Sequence, residues 1–141
     1  DICDAKVFIF GMGRIGTITY DRLNQIYPNE VLALDSDENV VQKHVAKNRK
    51  VIHHDATDTE FWDNVCKDDV HLVVLAMSDF RSNIFTLKLI NTIESEIKVF
   101  AAARFDDEVD LLKEAGAHHV FNLVEEAGKG LVNDILSKTN T

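Results

Sequence analysis

Short apolar runs alternate along this chain with longer stretches whose apolar residues recur every three or four positions. Lys6 to Phe10 reads as a strand. Its core, Val7-Phe8-Ile9-Phe10, has no polar alternation, as expected of a parallel strand buried on both faces. From about Gly13 to Tyr27, Ile15, Ile18, Leu23 and Ile26 recur at helical spacing, and Pro28-Asn29 closes the helix. Val31 to Leu34 is a second strand. Asp37 then stands as an N-cap before a short helix carrying Val40, Val41 and Val45. Val51-Ile52-His53 is a third strand, and Thr59 to Val65 a short helix with Phe61 and Val65 inward. Leu72 to Ala76 is the fourth strand and the most apolar run. Phe80 to Glu94 reads as a helix with Ile84, Leu87 and Ile90 on one face. Val99 to Ala102 is a fifth strand. Asp106 to Ala115 is a helix carrying Val109, Leu111 and Leu112, with Gly116 as its C′ stop. A short sixth strand, His119-Val120-Phe121, precedes a last amphipathic helix with Val124, Ala127, Leu131, Ile135 and Leu136.

Six alternations of strand and helix with short connections predict an α/β fold. The expected architecture is a Rossmann-like, doubly wound parallel six-stranded sheet of order 3-2-1-4-5-6 with right-handed crossovers. The 141 residues fit one domain, 1–141. In this topology ligands bind at the carboxyl ends of the strands, where the order reverses between strands one and four. Gly11 to Gly16, Asp35-Ser36, Asp55-Ala56-Thr57 and Met77-Ser78 follow those ends and are expected to converge.

Gly11-Met12-Gly13-Arg14-Ile15-Gly16 has the spacing G-x-G-x-x-G between a strand and a helix. Asp35 follows Gly16 by nineteen residues at the end of the second apolar run. In that context the motif is a dinucleotide-binding fingerprint. Gly11 permits the tight turn, Gly13 leaves room for a phosphate, and Gly16 lets the helix pack closely. The free N–H groups at the helix start form an anion site. Asp35 is placed to accept hydrogen bonds from a ribose diol. Its carboxylate favours NAD or AMP over a 2′-phosphorylated cofactor. The alternative is a tight turn with no ligand.

Charge narrows the choice of partner. The net charge is −9, with 24 acidic and 15 basic residues, which disfavours nucleic acid and anionic membrane surfaces. No apolar run approaches the length of a membrane span. Cys3 and Cys66 are far apart and form no C-x-x-C pair, so they read as free thiols in a reducing compartment. The pairs His53-His54 and His118-His119 cannot each chelate one ion, because strand neighbours face opposite ways, so no metal is expected. The ends, Asp1 and Lys138-Thr139-Asn140-Thr141, read as cuts through a longer polypeptide.

One family joins these features. Phe10 to Gly16, Leu34-Asp35-Ser36-Asp37, Asp55-Ala56-Thr57-Asp58, Ala103-Arg104 and Leu111 to Ala117 together resemble the RCK or TrkA-N domain, the nucleotide-binding domain of potassium transport. The likeness runs from about Lys6 to Ile135, and the Asp-Ala-Thr triplet is its most discriminating piece. Phe80-Arg81-Ser82-Asn83 and Ala102 to Asp106 are most similar to the Kef-type branch, the glutathione-regulated potassium efflux antiporters. The resemblance implies a regulatory domain on the cytoplasmic face of the inner or plasma membrane, attached to a membrane transport domain. It implies binding of AMP or NAD(H), no catalysis, gating through a homodimer, and glutathione or a conjugate as a candidate ligand at the dimer interface. His54 departs from the family's usual glycine, and is expected to narrow or stack on the adenine end. The family's second, C-terminal lobe has no counterpart in the 141 residues.

The same resemblance sets Asp55, Ala56 and Thr57 beside the adenine; Asp55 otherwise caps the next helix. Arg14 pairs with a phosphate, reaches a partner subunit, or is a solvated surface arginine. Met77 and Ser78 line the middle of the crevice, unless Met77 only fills the core. Arg104 contacts a ligand or a dimer partner, or else forms a local salt bridge to Asp106 or Asp107. The competing functions are an NAD-dependent oxidoreductase and a Rossmann scaffold that only dimerises. The enzyme is disfavoured because the nucleotide fold uses the whole chain and no Tyr-x-x-x-Lys is present.

Overall fold

The computed structural model describes residues 2–65, 68–93 and 95–139. Cys66 and Glu94 lie outside them, as do Asp1, Lys67, Asn140 and Thr141. The strands are β1 (Val7–Phe10), β2 (Val31–Asp35), β3 (Val51–His53), β4 (Leu72–Leu75), β5 (Lys98–Ala103) and β6 (His119–Asn122). The helices are α1 (Arg14–Ile26), α2 (Glu38–Val45), α3 (Phe80–Asn91), α4 (Asp106–Glu114) and α5 (Leu123–Thr139). The predicted helix at Thr59 is a 3-10 turn, Thr59–Asp63, capped by Asp58. All six strands are parallel in one sheet of order β3-β2-β1-β4-β5-β6, as the alternation predicts.

The strand at the centre sorts the core into two layers. On β1, Phe8 and Phe10 face one side and Val7 and Ile9 the other, and all four are buried. Phe8 and Phe10 pack with Phe61, Trp62, Leu87 and Leu112 beneath α3, α4 and the 3-10 turn. Val7 and Ile9 pack with Tyr20 and Val41 beneath α1 and α2. Each fully buried large side chain contributes about 1.5–3 kcal/mol of transfer free energy, so this strand anchors both layers.

Three helices differ from the periodicity reading. On α1 the sheet-facing stripe is Gly16, Tyr20 and partly buried Leu23; Ile15, Ile18 and Ile26 are exposed. The reason is Gly16, which brings that side of the helix onto the turn beneath it. Val45 on α2 and Leu111 on α4 are exposed as well.

The second layer stops short. Val99, Ala101 and Ala103 of β5 and Val120 of β6 point into the first layer. By alternation Phe100 and Phe121 point to the opposite face, where they are exposed. No residue of α5 is buried, and Val124, Leu131, Val132, Ile135 and Leu136 lie open along it.

Candidate functional site

The carboxyl ends of β1, β2, β4 and β5 surround a cleft of about 680 Å³. It lies where the strand order reverses, between β1 and β4. Gly11, Gly13, Arg14, Ile15, Asp35, Ser36, Met77, Ser78 and Arg104 all line it. These residues come from four loops, and the parallel topology alone brings them together.

The glycine turn is set by contacts on every side. Gly11 has φ +100°, and a Cβ there would sit 2.6 Å from the Ala76 carbonyl, so only glycine fits. A Cβ on Gly16 would overlap the Gly11 carbonyl oxygen, so α1 crosses directly over its own turn. A Cβ on Gly13, by contrast, would meet nothing within 4 Å. Between the glycines Met12 is buried and fixed. Its N–H donates to Asp35 Oδ2 at 2.8 Å. Its carbonyl accepts from His44 Nε2 at 2.9 Å and from the Thr17 hydroxyl at 3.3 Å. Gly13, Arg14 and Ile15 then open α1 at the cleft wall, with the positive end of the helix dipole there.

Asp35 does two jobs that the sequence did not separate. Besides Met12 it binds the Asp37 N–H through Oδ1 at 2.9 Å. Each carboxylate oxygen therefore holds one main-chain donor and keeps a lone pair toward the cleft. Asp37 in turn caps α2 by accepting from the Asn39 N–H, as its sequence position predicts.

Two arginine side chains reach the cleft without an acidic partner among the described residues. Arg14 and Arg104 are both exposed at the cleft, and neither forms an ion pair among the described residues. The local salt bridge considered for Arg104 is absent among those residues: Asp106 accepts from Asn122, and Glu108 holds the Arg104 and Phe105 main-chain N–H groups.

Asp55, Ala56 and Thr57 sit at the end of β3, one strand beyond Asp35, and do not line the cleft. Asp55 Oδ1 accepts from both the N–H and the hydroxyl of Thr57. These bonds, the main-chain one foremost, hold its carboxyl below the usual range. Asp58, not Asp55, caps the 3-10 turn. His54 does not line the cleft either. It is buried, its ring 4.6 Å from Phe61 and 5.8 Å from Phe10. Burial lowers its pKa. The side chain points into the first core layer because β3 alternation turns it inward.

One residue escaped the sequence reading. Asn83 is buried on α3, where its amide accepts from the Met77 N–H at 3.3 Å and donates to the Met77 carbonyl at 3.0 Å. This clip ties the loop after β4, whose backbone abuts Gly11, to α3. The sequence held it only as part of Phe80-Arg81-Ser82-Asn83, with no sign that it joins Thr86, Leu87 and Ile90 on the buried stripe of α3. No group of His, Cys, Asp and Glu suited to a metal ion occurs among the described residues. None of their helices is long and apolar enough to cross a membrane.

The family model described as the TrkA-N domain matches residues 7–123. The chain belongs to the TrkA-N family. Comparison with curated proteins gives no significant match. Among solved structures, this TrkA-N domain is similar to the NAD(P)-binding domain of an exopolyphosphatase-related protein from Archaeoglobus fulgidus. The TM-score is 0.85 at 19% identity, covering 94% of this chain and 98% of that one. It is similar to the Kef C-terminal domain of Shewanella denitrificans in its AMP-bound form, with TM-score 0.75, 18% identity, and coverage of 96% and 81%. It is also similar to GsuK bound to ADP, at 26% identity and TM-score 0.76, over 96% of this TrkA-N domain and 35% of that chain. GsuK has been solved with NAD as well; that structure is 19% identical with TM-score 0.76, over 93% and 24% of the two chains.

Proposed function

We propose that this chain is a nucleotide-sensing regulatory domain of a potassium efflux or transport system, and that it binds AMP or NAD(H) in the cleft. The observation that carries the reading is the anchored glycine turn. Met12 is held at both its main-chain N–H and its carbonyl, so the start of α1 presents Gly13 to Ile15 to the cleft without rearrangement. Two arginines with no ion pair among the described residues face the same cleft on a chain of net charge −9. A phosphate pairs with them, and the free lone pairs of Asp35 suit a ribose diol. Asp55-Ala56-Thr57 then borders the adenine beyond the cleft rim.

The output is a homodimer, with no reaction catalysed. Exposed Phe100 and Phe121 and the open apolar stripe of α5 supply a surface for a second copy. Arg104 stands between the nucleotide cleft and that corner, and glutathione or a conjugate is a candidate for its second partner. The domain works at the cytoplasmic face of the membrane, joined to a transport domain. The oxidoreductase reading is weaker, because no histidine, lysine or tyrosine among the described residues lines the cleft to act as acid or base.

Isothermal titration with AMP and with NADH tests this directly. Saturable binding of either at micromolar to low-millimolar concentration supports it. Absence of binding by both, in protein that is folded by circular dichroism, contradicts it. Turnover of NADH with a panel of carbonyl substrates would favour the oxidoreductase instead.

A further inference from the structure

We infer that His44 is a positioning residue for the nucleotide site, holding the glycine turn only in its neutral form and so making affinity fall with acid. The inference rests on the nucleotide reading above. His44 stands near the end of α2, far from the fingerprint in sequence, and lines none of the cleft. Its ring is nevertheless the closest donor to the Met12 carbonyl.

The partners fix the proton. The Met12 carbonyl only accepts, so Nε2 carries hydrogen across its 2.9 Å contact. Arg49 Nη1 only donates, so Nδ1, at 3.2 Å, offers its lone pair. Arg49 cannot turn away freely, because its Nε and Nη2 form a two-pronged bridge to Asp21 at 2.8 and 2.9 Å. That bridge lowers the Asp21 pKa and raises that of Arg49. The relay thus runs from Asp21 on α1, through Arg49 before β3 and His44 on α2, to the carbonyl between the first two glycines.

A second proton on His44 would set two donors and two positive charges face to face at Nδ1. The other charged or titratable groups on the elements that pack here are Tyr20 on α1, which lies by Arg49 and whose hydroxyl accepts from the Lys50 N–H, and Lys43 and Lys47, near His44 in sequence. Asp21, the acid facing this cluster, is engaged by Arg49. Protonation therefore drives the ring from Arg49 and withdraws the shorter of the two donors to Met12. The Thr17 hydroxyl, at 3.3 Å, is left to hold that carbonyl. The α1 N–H groups then lose their fixed aim.

The test compares wild type with His44→Gln, whose amide donates to Met12 and accepts from Arg49 but does not titrate. The probe is NAD+, whose diphosphate keeps its charge between about pH 8 and about pH 5.5, the span over which imidazoles commonly titrate. The wild type is expected to lose about tenfold more affinity than the variant over that span, and parallel profiles would overturn the inference. The second measurement needs no nucleotide. In ligand-free protein, the 15N shifts of His44 should report an Nε2–H tautomer at the higher pH, and the Met12 and Gly13 amides should move as His44 titrates. An Nδ1–H tautomer, or amides indifferent to that titration, would overturn it whether or not NAD+ binds. Failure of wild type to bind NAD+ at the higher pH, with these shifts as expected, would count against the nucleotide reading and leave the His44 relay standing.

Discussion

The glycine turn and the β5–β6–α5 corner are finished to different degrees. At the turn, every polar group of Met12 has a partner and both Gly11 and Gly16 are in contact with backbone. At the corner, Phe100 and Phe121 lie about two-fifths exposed, at 42% and 44%, and α5 buries none of its residues. The difference separates what the described residues complete from what they leave open. The turn is set before any ligand arrives, so little ordering is charged against binding. The corner is an apolar surface that the described residues leave uncovered, of the kind found at protein interfaces.

Substitutions at the three glycines strain this contrast most. Gly11→Ala forces a side chain into a left-handed backbone and onto the Ala76 carbonyl, and Gly16→Ala collides with Gly11. Each is expected to destabilise the domain by more than about 3 kcal/mol in urea unfolding, if it folds at all. Gly13→Val, in open space, is expected to change stability by less than about 1 kcal/mol. Equal losses at all three would mean that the turn is not packed as described.

The corner is tested next. Phe121→Glu puts a charge on the exposed sheet face and is expected to weaken self-association by about 2 kcal/mol, roughly thirtyfold in sedimentation equilibrium. Ile26 is also exposed, but it lies at the end of α1 and away from this corner. Ile26→Glu therefore serves as the control and is expected to leave association unchanged. A monomeric wild type would contradict the corner's assigned role.

Ligand choice is a smaller effect. Asp35 already holds Met12 and Asp37, so Asp35→Ala would disturb the turn and the ribose contact together. Changing the ligand separates them. The 2′-phosphate of NADP+ is expected to weaken binding about tenfold relative to NAD+. Equal affinity would remove Asp35 from the ribose.

The smallest expected effect is on pH dependence. Burial lowers the pKa of His54 in the fold, so the unfolded chain takes up its proton first on acidification. Stability from this group is present above the ordinary imidazole range and falls as pH drops through it. His54→Phe keeps the packing against Phe10 and Phe61 and removes the proton. Acid is therefore expected to destabilise the wild type more than the variant, read from melting temperatures across that range. Parallel curves would mean that His54 titrates alike in both states.

The sequence carried the sheet order because parallel strands bury both faces and read as unbroken apolar runs. It carried the positions of Gly11, Gly13 and Gly16 because their geometry is local to one strand–turn–helix unit, and that of Asp35 because it ends the neighbouring apolar strand β2. It misread α1, where Ile15, Ile18 and Ile26 form the more apolar stripe but Gly16 decides which side meets the sheet. Periodicity weighs side chains, and glycine has none. It misplaced His54 because a family position gives a loop's location and not the direction of its side chain. Asn83 and His44 stayed hidden because each acts on main-chain atoms far away, at Met77 and at Met12.

The central claim is that the anchored turn holds a nucleotide phosphate. Titration of AMP into wild type and Gly13→Val tests it most directly, since that substitution fills the approach while its Cβ meets no other atom within 4 Å. The account predicts binding by the wild type and a loss of at least about a hundredfold in a variant that melts at the same temperature. Equal affinity of the two proteins would contradict it.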